Sequence, residues 1–561
     1  MVQFTMSSNW EYVAADKRER LAKTIPQQWR IRELPSDDSV IDYPRASGIL
    51  SNRELEITEL SATQLASKLA SNRLTAVEVT LAFCKRAAIA QQLTNCVHEF
   101  FPEAALAQAK ELDEYFARHG RPLGPLHGLP FSLKDQLRVK GYETYMGYVS
   151  FLGKYDKEDS VMTHLLRKAG AVFYVKTSVP QTLLVCETVN NIIGTTINPR
   201  NRNWSCGGSS GGEGALLAMR GSVLGVGTDI GGSIRVPATF NSLYGLRPSH
   251  GRLPYAKLAN SMEGQETVHS GVGPIGHSVE DLRLFTKAVL EQEPWKFDSK
   301  VIPMPWRQSE ADAVRAKIHS GGLTVGVYNF DGNVLPHPPV LRGIELAVDS
   351  LNKNGHRVVP WTPYKHDYGC DIMNRIWAAD ASSDVLKDIN ASGEPVIPNI
   401  QPLINADAKP IGVNELWDIQ SQKWAYQNEY IEKWLEAEEQ LGTELDAIIA
   451  PVAPTPAVRH GRFMYYGYSF LINLLDFTSV VVPVTFADSD VDAKNDTYVP
   501  VSDLDKAVQE EYIPEAYHGA PVAVQVIGRR LSEEKTLAVA EELARSLGRN
   551  KSGSQMFSSK L

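Results

Sequence analysis

Cysteine is scarce in this chain of 561 residues, and the spacing of the few cysteines does not fit a shared metal site. The five cysteines are odd in number, widely spaced and without a Cys-x-x-Cys pair; they are Cys84, Cys96, Cys186, Cys206 and Cys370. This usage argues against a zinc cage and favours a reducing compartment. We therefore expect a cytoplasmic protein that uses no metal ion and no cofactor.

Long apolar runs and a basic charge balance are also missing. The longest apolar stretches, such as "VAVQVIG" at 522–528, are far below the roughly 20 residues that cross a bilayer. The first 20 residues lack the apolar segment and cleavage site of a secretory signal. The formal net charge of −9 provides no field that attracts phosphate backbones. We expect neither a membrane nor a nucleic acid as partner.

What the chain does contain is a regular alternation of helical and strand patterns. Two capping-box spacings predict helices that begin near Ala62 and Ala76, and a third helix is expected to end at Gly120. Short β-rich runs such as "AVFYVKT", "LTVGVYNF", "LDAIIAP" and "APVAVQVIG" alternate with amphipathic helical stretches. This alternation predicts an α/β fold around a mixed, mostly parallel sheet.

The chain shows no internal repeat, and its composition changes once. Residues 294–442 are richer in proline, tryptophan and charge, which we interpret as a helical insertion or lid. We expect an N-terminal helical arm at 1–60 and a single main domain at 61–561. Within that domain the core spans about 120–290 and is completed by 443–561.

One stretch, residues 206–235, holds ten glycines and four serines. Tight turns would explain a single Gly-Gly-Ser, because glycine adopts positive φ at low cost. A P-loop is excluded because Glu213, not Lys, follows Gly212, and "GVGTDIGG" has the wrong glycine interval for a dinucleotide fingerprint. The remaining interpretation is a serine nucleophile site in which backbone N–H groups of Gly231, Gly232 and Ser233 converge on an oxyanion.

A serine nucleophile needs a base, and two residues compete for that role. His127 invites a Ser-His-Asp triad, yet no serine in the stretch has a G-x-S-x-G elbow around it. Lys134 in "FSLKD" is flanked by Phe131 and Leu133, and burial there would lower the pKa of its amine. A neutral lysine can accept a proton from a serine hydroxyl.

Three segments together resemble the amidase signature family. They are "HGLPFSLKD" (127–135), "GGSSGGEGA" (207–215) and "GTDIGGSIR" (227–235), and the separations Lys134–Ser209 of 75 residues and Ser209–Ser233 of 24 residues also match. The segments "GAPVAVQVIGRR" and "ELDAIIAPVAPTPA" look like the family too. Over nearly its whole length, the chain is most similar to the fungal acetamidases of this family, which implies the amidase-signature fold with helices on both faces of the sheet.

The resemblance implies a catalytic set. Ser233 would be the nucleophile that forms an acyl-enzyme, Ser209 the bridging serine after a cis peptide bond, and neutral Lys134 the base. The oxyanion hole would consist of the N–H groups of Ile230, Gly231, Gly232 and Ser233.

Further roles follow from the same resemblance. Ser210, Asp229 and Arg235 would hold the two glycine-rich loops, and Leu183 would line the acyl site. The chain departs from the family at "KTSVPQ" (176–181), where members often read K-T-N-x-x-E, so a side-chain anchor near the pocket has changed.

The implied activity is hydrolysis of small aliphatic amides to a carboxylate and ammonia. Three alternatives stay open: an amidase for other amides, anilides or carbamates, an amidotransferase subunit with partner subunits, and a catalytically idle binding protein. A homo-oligomer also stays open.

Overall fold

A computed structural model of the chain describes residues 10–405 and 407–548. The first nine residues of the predicted N-terminal arm and the last 13 of the predicted main domain lie outside the described residues.

The described residues form 19 α-helices and 15 β-strands. The helices are α1 (Trp10–Lys23), α2 (Tyr43–Ala46), α3 (Asn52–Glu59), α4 (Ala62–Ala70), α5 (Ala76–Thr94), α6 (Pro102–His119), α7 (Val161–Lys168), α8 (Gly211–Ala218), α9 (Arg235–Phe240), α10 (Val279–Leu290), α11 (Gln308–Ser320), α12 (Pro338–Lys353), α13 (His366–Trp377), α14 (Ser383–Ser392), α15 (Val413–Leu441), α16 (Gly467–Leu474), α17 (Asp503–Glu511), α18 (Pro514–Tyr517) and α19 (Glu533–Ser546). The strands are β1 (Val97–Phe100), β2 (Pro130–Lys134), β3 (Val172–Thr177), β4 (Val189–Asn190), β5 (Gly194–Thr195), β6 (Ile197–Asn198), β7 (Asn201–Ser205), β8 (Leu224–Asp229), β9 (Tyr244–Arg247), β10 (Gly271–Gly276), β11 (Thr324–Val327), β12 (Arg357–Pro360), β13 (Ala447–Pro451), β14 (Thr478–Phe486) and β15 (Pro521–Gly528).

The helix boundaries predicted from local chemistry are confirmed. Helices α4 and α5 begin at Ala62 and Ala76, each behind a complete capping box in which the N-cap side chain accepts the N–H of the third helical residue. Helix α6 ends at Gly120, whose φ of 65° is the left-handed conformation that terminates helices.

Eleven of the described strands form one sheet, in the order β1-β3-β2-β8-β10-β9-β14-β15-β13-β11-β12. The α/β class and the mixed sheet are confirmed, but the expectation of mostly parallel pairing is wrong. Four pairings, β3–β2, β2–β8, β13–β11 and β11–β12, are parallel, and the other six are antiparallel. A parallel neighbour needs a crossover, usually helical, whereas the connection from β9 to β10 (248–270) contains no helix.

Helices cover both faces of this sheet, as predicted. Val480 and Val482 of β14 pack in one apolar cluster with Leu537 of α19, whereas Val481 between them packs with Val236 of α9. Successive strand residues point to opposite faces, so the two clusters lie on opposite sides of the sheet.

The predicted insertion or lid at 294–442 is not a separate layer. It contributes β11 and β12 to one end of the main sheet. Its later part, with α13, α14 and residues 400–405, lines a cavity next to the glycine-rich turns, and residues 298–300 line a second cavity there.

The N-terminal arm, as far as it is described, packs onto the same body. Leu21, Trp29 and Ile57 lie in one apolar cluster with Leu133 of β2. Within the described residues, no helix combines the length and the apolarity needed to cross a membrane.

Candidate active site

The predicted catalytic residues lie at the carboxyl-terminal ends of two neighbouring interior strands of the sheet. Lys134 is the last residue of β2, and Asp229 is the last residue of β8. These strands are parallel neighbours, so their carboxyl ends lie side by side, where α/β folds place their sites. Ser209 lies just before α8 and Ser233 just before α9, and the N–H of Ser210 donates to the carbonyl of Ser233 at 3.2 Å. The two glycine-rich turns therefore lie against each other.

Lys134 is buried and in hydrogen-bond contact with Ser209. Its Nζ lies 2.8 Å from Ser209 Oγ and 2.7 Å from Thr228 Oγ1. Burial lowers the pKa of Lys134 to about 7, although the carboxylate of Asp229 opposes this shift. Because of this lowered pKa, a substantial fraction of Lys134 is neutral at neutral pH. The peptide bond between Gly208 and Ser209 is cis.

Thr228 and Gln136 extend this contact, and the sequence analysis missed both. The Thr228 hydroxyl donates to Gln136 Oε1 at 2.8 Å, while Gln136 Nε2 donates to Tyr255 Oη and Asn260 Oδ1 at 2.8 and 3.1 Å. Because the Thr228 proton is used by Gln136, Thr228 can only accept from Lys134. This directs one N–H of Lys134 to Thr228.

Asp229 and Arg235 form a buried network of hydrogen bonds with the turn that contains Ser233. The Asp229 carboxylate accepts from Nε and Nη2 of Arg235, both at 3.0 Å, and from the N–H groups of Gly232 and Ile234 at 2.9 and 3.1 Å. Burial alone would raise the pKa of Asp229, but the Arg235 guanidinium holds it well below its usual range. Ser210 Oγ donates to the carbonyl of Thr228 at 3.4 Å.

Residues far along the chain add further partners to Arg235, among them the carbonyl of Ser469 at 3.0 Å. Arg235 donates to Gln525 Oε1 at 3.0 Å and to Asn473 Oδ1 at 2.6 Å. Both were missed by the sequence analysis. The sequence does mark Gln525 as a candidate buried polar residue, because it is the one polar side chain within the apolar strand run "VAVQVIG". No sequence pattern marks Asn473, since only folding brings it near Arg235.

The turn 230–233 requires glycine at two positions. A Cβ on Gly231 would lie 2.7 Å from the Phe470 ring, and Gly232 has a φ of +118°. The predicted oxyanion hole needs a correction here, because the N–H of Gly232 already donates to Asp229. For the N–H groups of Ile230, Gly231 and Ser233, no hydrogen bond is found among the described residues.

Glu213, in the first glycine-rich segment, is a buried carboxyl group that links two strands next to the site. It accepts from the hydroxyls of Ser132 and Thr177, which lie on the neighbouring strands β2 and β3. Burial raises the pKa of Glu213 to about 8. The carboxyl group thus connects both strands to the start of α8.

Ser233 lies between two cavities, and Leu183 and Ile230 line both. The first, of about 430 Å³, also contains Ser209 and Thr228 and is lined largely by residues between 250 and 270; we call it the polar cavity. The second, of about 330 Å³, is lined by Phe470, Trp377 and the segment 400–405; we call it the apolar cavity. Leu183 thus lies next to the predicted site, and its role in lining the acyl site stays a prediction.

Comparisons with known proteins agree with this geometry. The Amidase family matches residues 78–537. The chain belongs to the amidase signature family. This amidase is 74% identical over 543 residues to an acetamidase of Emericella nidulans, covering 97% of this chain and 99% of the relative. An acetamidase of Aspergillus oryzae is 65% identical, covering 97% and 99% of the two chains. The solved structure of a fatty acid amide hydrolase has a TM-score of 0.91 at 35% identity, covering 97% of this chain and 96% of the other.

His127, the competing base, has a structural environment in this amidase. Its Nδ1 accepts the N–H of Leu123 at 3.1 Å, and its ring lies 6.0 Å from that of Phe116. His127 is not among the described residues that line either cavity. The environment therefore favours Lys134.

Proposed function

We propose that this amidase hydrolyses small aliphatic monocarboxylic amides, such as acetamide, to a carboxylate and ammonia through an acyl-enzyme on Ser233. The observation that carries the proposal is the buried contact of Lys134 Nζ with Ser209 Oγ at 2.8 Å, because Ser209 and Ser233 both line the polar cavity. Lys134 thus offers a base whose pKa lies near neutrality beside a serine hydroxyl.

The acylation step begins with proton transfer. Neutral Lys134 accepts the proton of Ser209 while Ser209 accepts that of Ser233, whose Oγ attacks the amide carbon. The oxyanion is held by the N–H groups of Ile230, Gly231 and Ser233. The tetrahedral intermediate then collapses, the C–N bond breaks, and the proton returns through Ser209 to the departing ammonia.

Deacylation repeats the relay with water. The water enters from the polar cavity, gives a proton to Ser209, which passes its own proton to Lys134, and attacks the acyl carbon. The Ser233–acyl bond then breaks, and the proton returns from Lys134 through Ser209 to Ser233 Oγ. Thr228 supports both steps because it accepts one N–H of Lys134, which leaves the lysine lone pair free for Ser209. Asp229, Arg235 and Ser210 keep the turn of Ser233 in place through the contacts described above.

The relatives support the substrate class. Two acetamidases match along at least 97% of both chains. This full-length match favours a self-sufficient hydrolase over an amidotransferase subunit, and the filled catalytic positions argue against an idle binding protein. All five cysteines are free thiols, which supports the proposed cytoplasmic location.

A panel of formamide, acetamide, hexanamide, an anilide and ethyl carbamate tests the proposal through kcat/KM. We expect the short aliphatic amides to give the highest values. A purified enzyme that cleaves only the anilide or the carbamate would contradict the substrate class, and an enzyme that needs a partner subunit would contradict the self-sufficient hydrolase.

A further inference from the structure

Gln181 lies where the sequence departs from its family, and its side chain joins the core to the loop after α14. Its Nε2 donates to Glu394 Oε2 at 2.9 Å and to the carbonyl of Pro395 at 3.1 Å, and its Oε1 accepts the N–H of Ile397 at 3.0 Å. The side chain is fully buried. Its amide is therefore fully used in holding this loop.

Glu394 receives donors from three separate core segments. Besides Gln181, its carboxylate accepts Asn191 Nδ2 at 2.9 Å and the N–H of Val149 at 2.7 Å, and Ser392 Oγ at 3.1 Å adds a local donor. The residue is 4% exposed. Burial raises its pKa, and the donors provide the partners that a buried carboxylate requires.

Residues that follow Gln181 and Glu394 in the chain line the apolar cavity. On the core side, Gln181 is followed by Thr182 and Leu183, which both have a positive φ (72° and 69°), and Leu183 lines the cavity. On the loop side, Ile397 and Ile400 pack on Val185, and Ile400 lines the cavity. A shift at the Gln181–Glu394 contact would therefore move the part of the wall that contains Ile400 relative to the part that contains Leu183.

The apolar cavity is larger than the smallest proposed substrates require. Its volume of about 330 Å³ corresponds to roughly ten water-sized groups at about 30 Å³ each, whereas acetamide has four non-hydrogen atoms. The apolar cavity therefore has room for an acyl chain longer than acetyl, and residues 400 and 402–405 form part of its wall.

We propose that Gln181 and Glu394 form a latch that sets the depth of the apolar cavity and hence the longest acyl chain that this amidase accepts. The inference rests on the proposed function. Both are positioning residues, because neither lines the cavity among the described residues. A glutamate at 181 would have no Nε2 to donate to Glu394 and to the carbonyl of Pro395, so the amide is the group that keeps the latch closed.

The test uses Gln181→Glu, Glu394→Gln and the double variant, each assayed with acetamide and hexanamide. In Gln181→Glu the loss of the Nε2 donor to Glu394 and Pro395 opens the latch, and the hexanamide-to-acetamide ratio of kcat/KM rises at least tenfold, mainly through a lower KM for hexanamide. The double variant restores a carboxylate–amide pair with donor and acceptor exchanged, and its ratio returns to within about threefold of the wild type. Gln440→Glu, the same change at an exposed position of α15 that lines neither cavity, leaves the ratio unchanged.

A second readout separates the latch from the proposed substrate class. The rates at which short-chain and long-chain alkyl fluorophosphonates label the protein report cavity depth without amide turnover. If amides are not cleaved but the long-chain labelling rate rises in Gln181→Glu, the latch stands and the substrate class falls. If amides are cleaved and both chain lengths change by the same factor, or the double variant fails to recover, the latch is overturned.

A milder variant covers the case in which Gln181→Glu does not fold. Asn191→Ala removes one of the donors to Glu394 at a half-buried position. We expect the hexanamide-to-acetamide ratio to rise in the same direction by about two- to fivefold. An unchanged ratio in this folded variant would also overturn the latch.

Discussion

The Nζ of Lys134 and the Oγ of Ser209 lie 2.8 Å apart in a buried site, although 75 residues separate them in the chain. The contact joins the end of a strand to a glycine-rich turn. It combines an amine of lowered pKa with a hydroxyl that can pass a proton on. The first predictions follow from this pair.

Replacing Lys134 with alanine should remove the base and leave the backbone donors in place. By analogy with other serine hydrolases, kcat should fall by about 10⁴–10⁶-fold. Ser209→Ala should cost a similar factor, and the double variant should be little worse, because both residues act in one relay. His127→Ala is the control and should keep most of its kcat on the same amide. An inactive His127→Ala variant together with an active Lys134→Ala variant would refute the assignment of Lys134 as the base.

The rate should depend on pH through Lys134. The base works in its neutral form, and its pKa is lowered to about 7, so kcat/KM should rise with pH through about 7 and level off above it. A pH profile of kcat/KM on acetamide measures this limb. A limb near 10, the range of a solvated lysine, would contradict a buried neutral base.

Ser233 should carry the covalent label of a fluorophosphonate. The labelled atom is the Oγ of the nucleophile, so Ser233→Ala should abolish labelling, as judged by mass spectrometry of the intact protein. Ser210→Ala, a neighbouring serine, should still be labelled at Ser233. Labelling that persists on another residue of Ser233→Ala would exclude the proposed nucleophile.

Arg235→Met should destabilise the fold as well as the site. The substitution leaves the carboxylate of Asp229 buried without its main partner, a loss of about 3–5 kcal/mol in similar buried pairs. Thermal and urea unfolding of the purified variant measure the effect. The same change in an Asp229→Asn background should cost less, because no buried charge is then left unpaired. Equal losses in both backgrounds would show that charge is not the cause.

Activity should withstand a chelator. The proposed oxyanion donors are backbone N–H groups, and the cysteine pattern of the sequence does not fit a zinc cage. Incubation with EDTA followed by an acetamide assay should leave kcat/KM unchanged. Loss of activity that one added divalent ion restores would refute this expectation.

Local sequence chemistry was sufficient for several features of this chain. Capping boxes located the starts of α4 and α5, and Gly120 located the end of α6, because these signals act within a few residues. Lys134 was selected as a candidate base from its apolar neighbours, and the glycines at 231 and 232 were selected as permissive backbone. The pairing of Lys134 with Ser209 came only from the family resemblance.

Tertiary structure decided what depends on long-range contacts. The antiparallel pairing of β10 with β8 and β9, the contact of Asn473 with Arg235, and the hydrogen bond between Gln181 and Glu394 each join segments that local patterns treat as independent. The use of the Gly232 N–H by Asp229 likewise depends on where one carboxylate comes to lie. A sequence specifies local backbone preferences directly, whereas the partner of a buried polar group is chosen by packing, because burial makes an unpaired group costly wherever in the chain its partner lies.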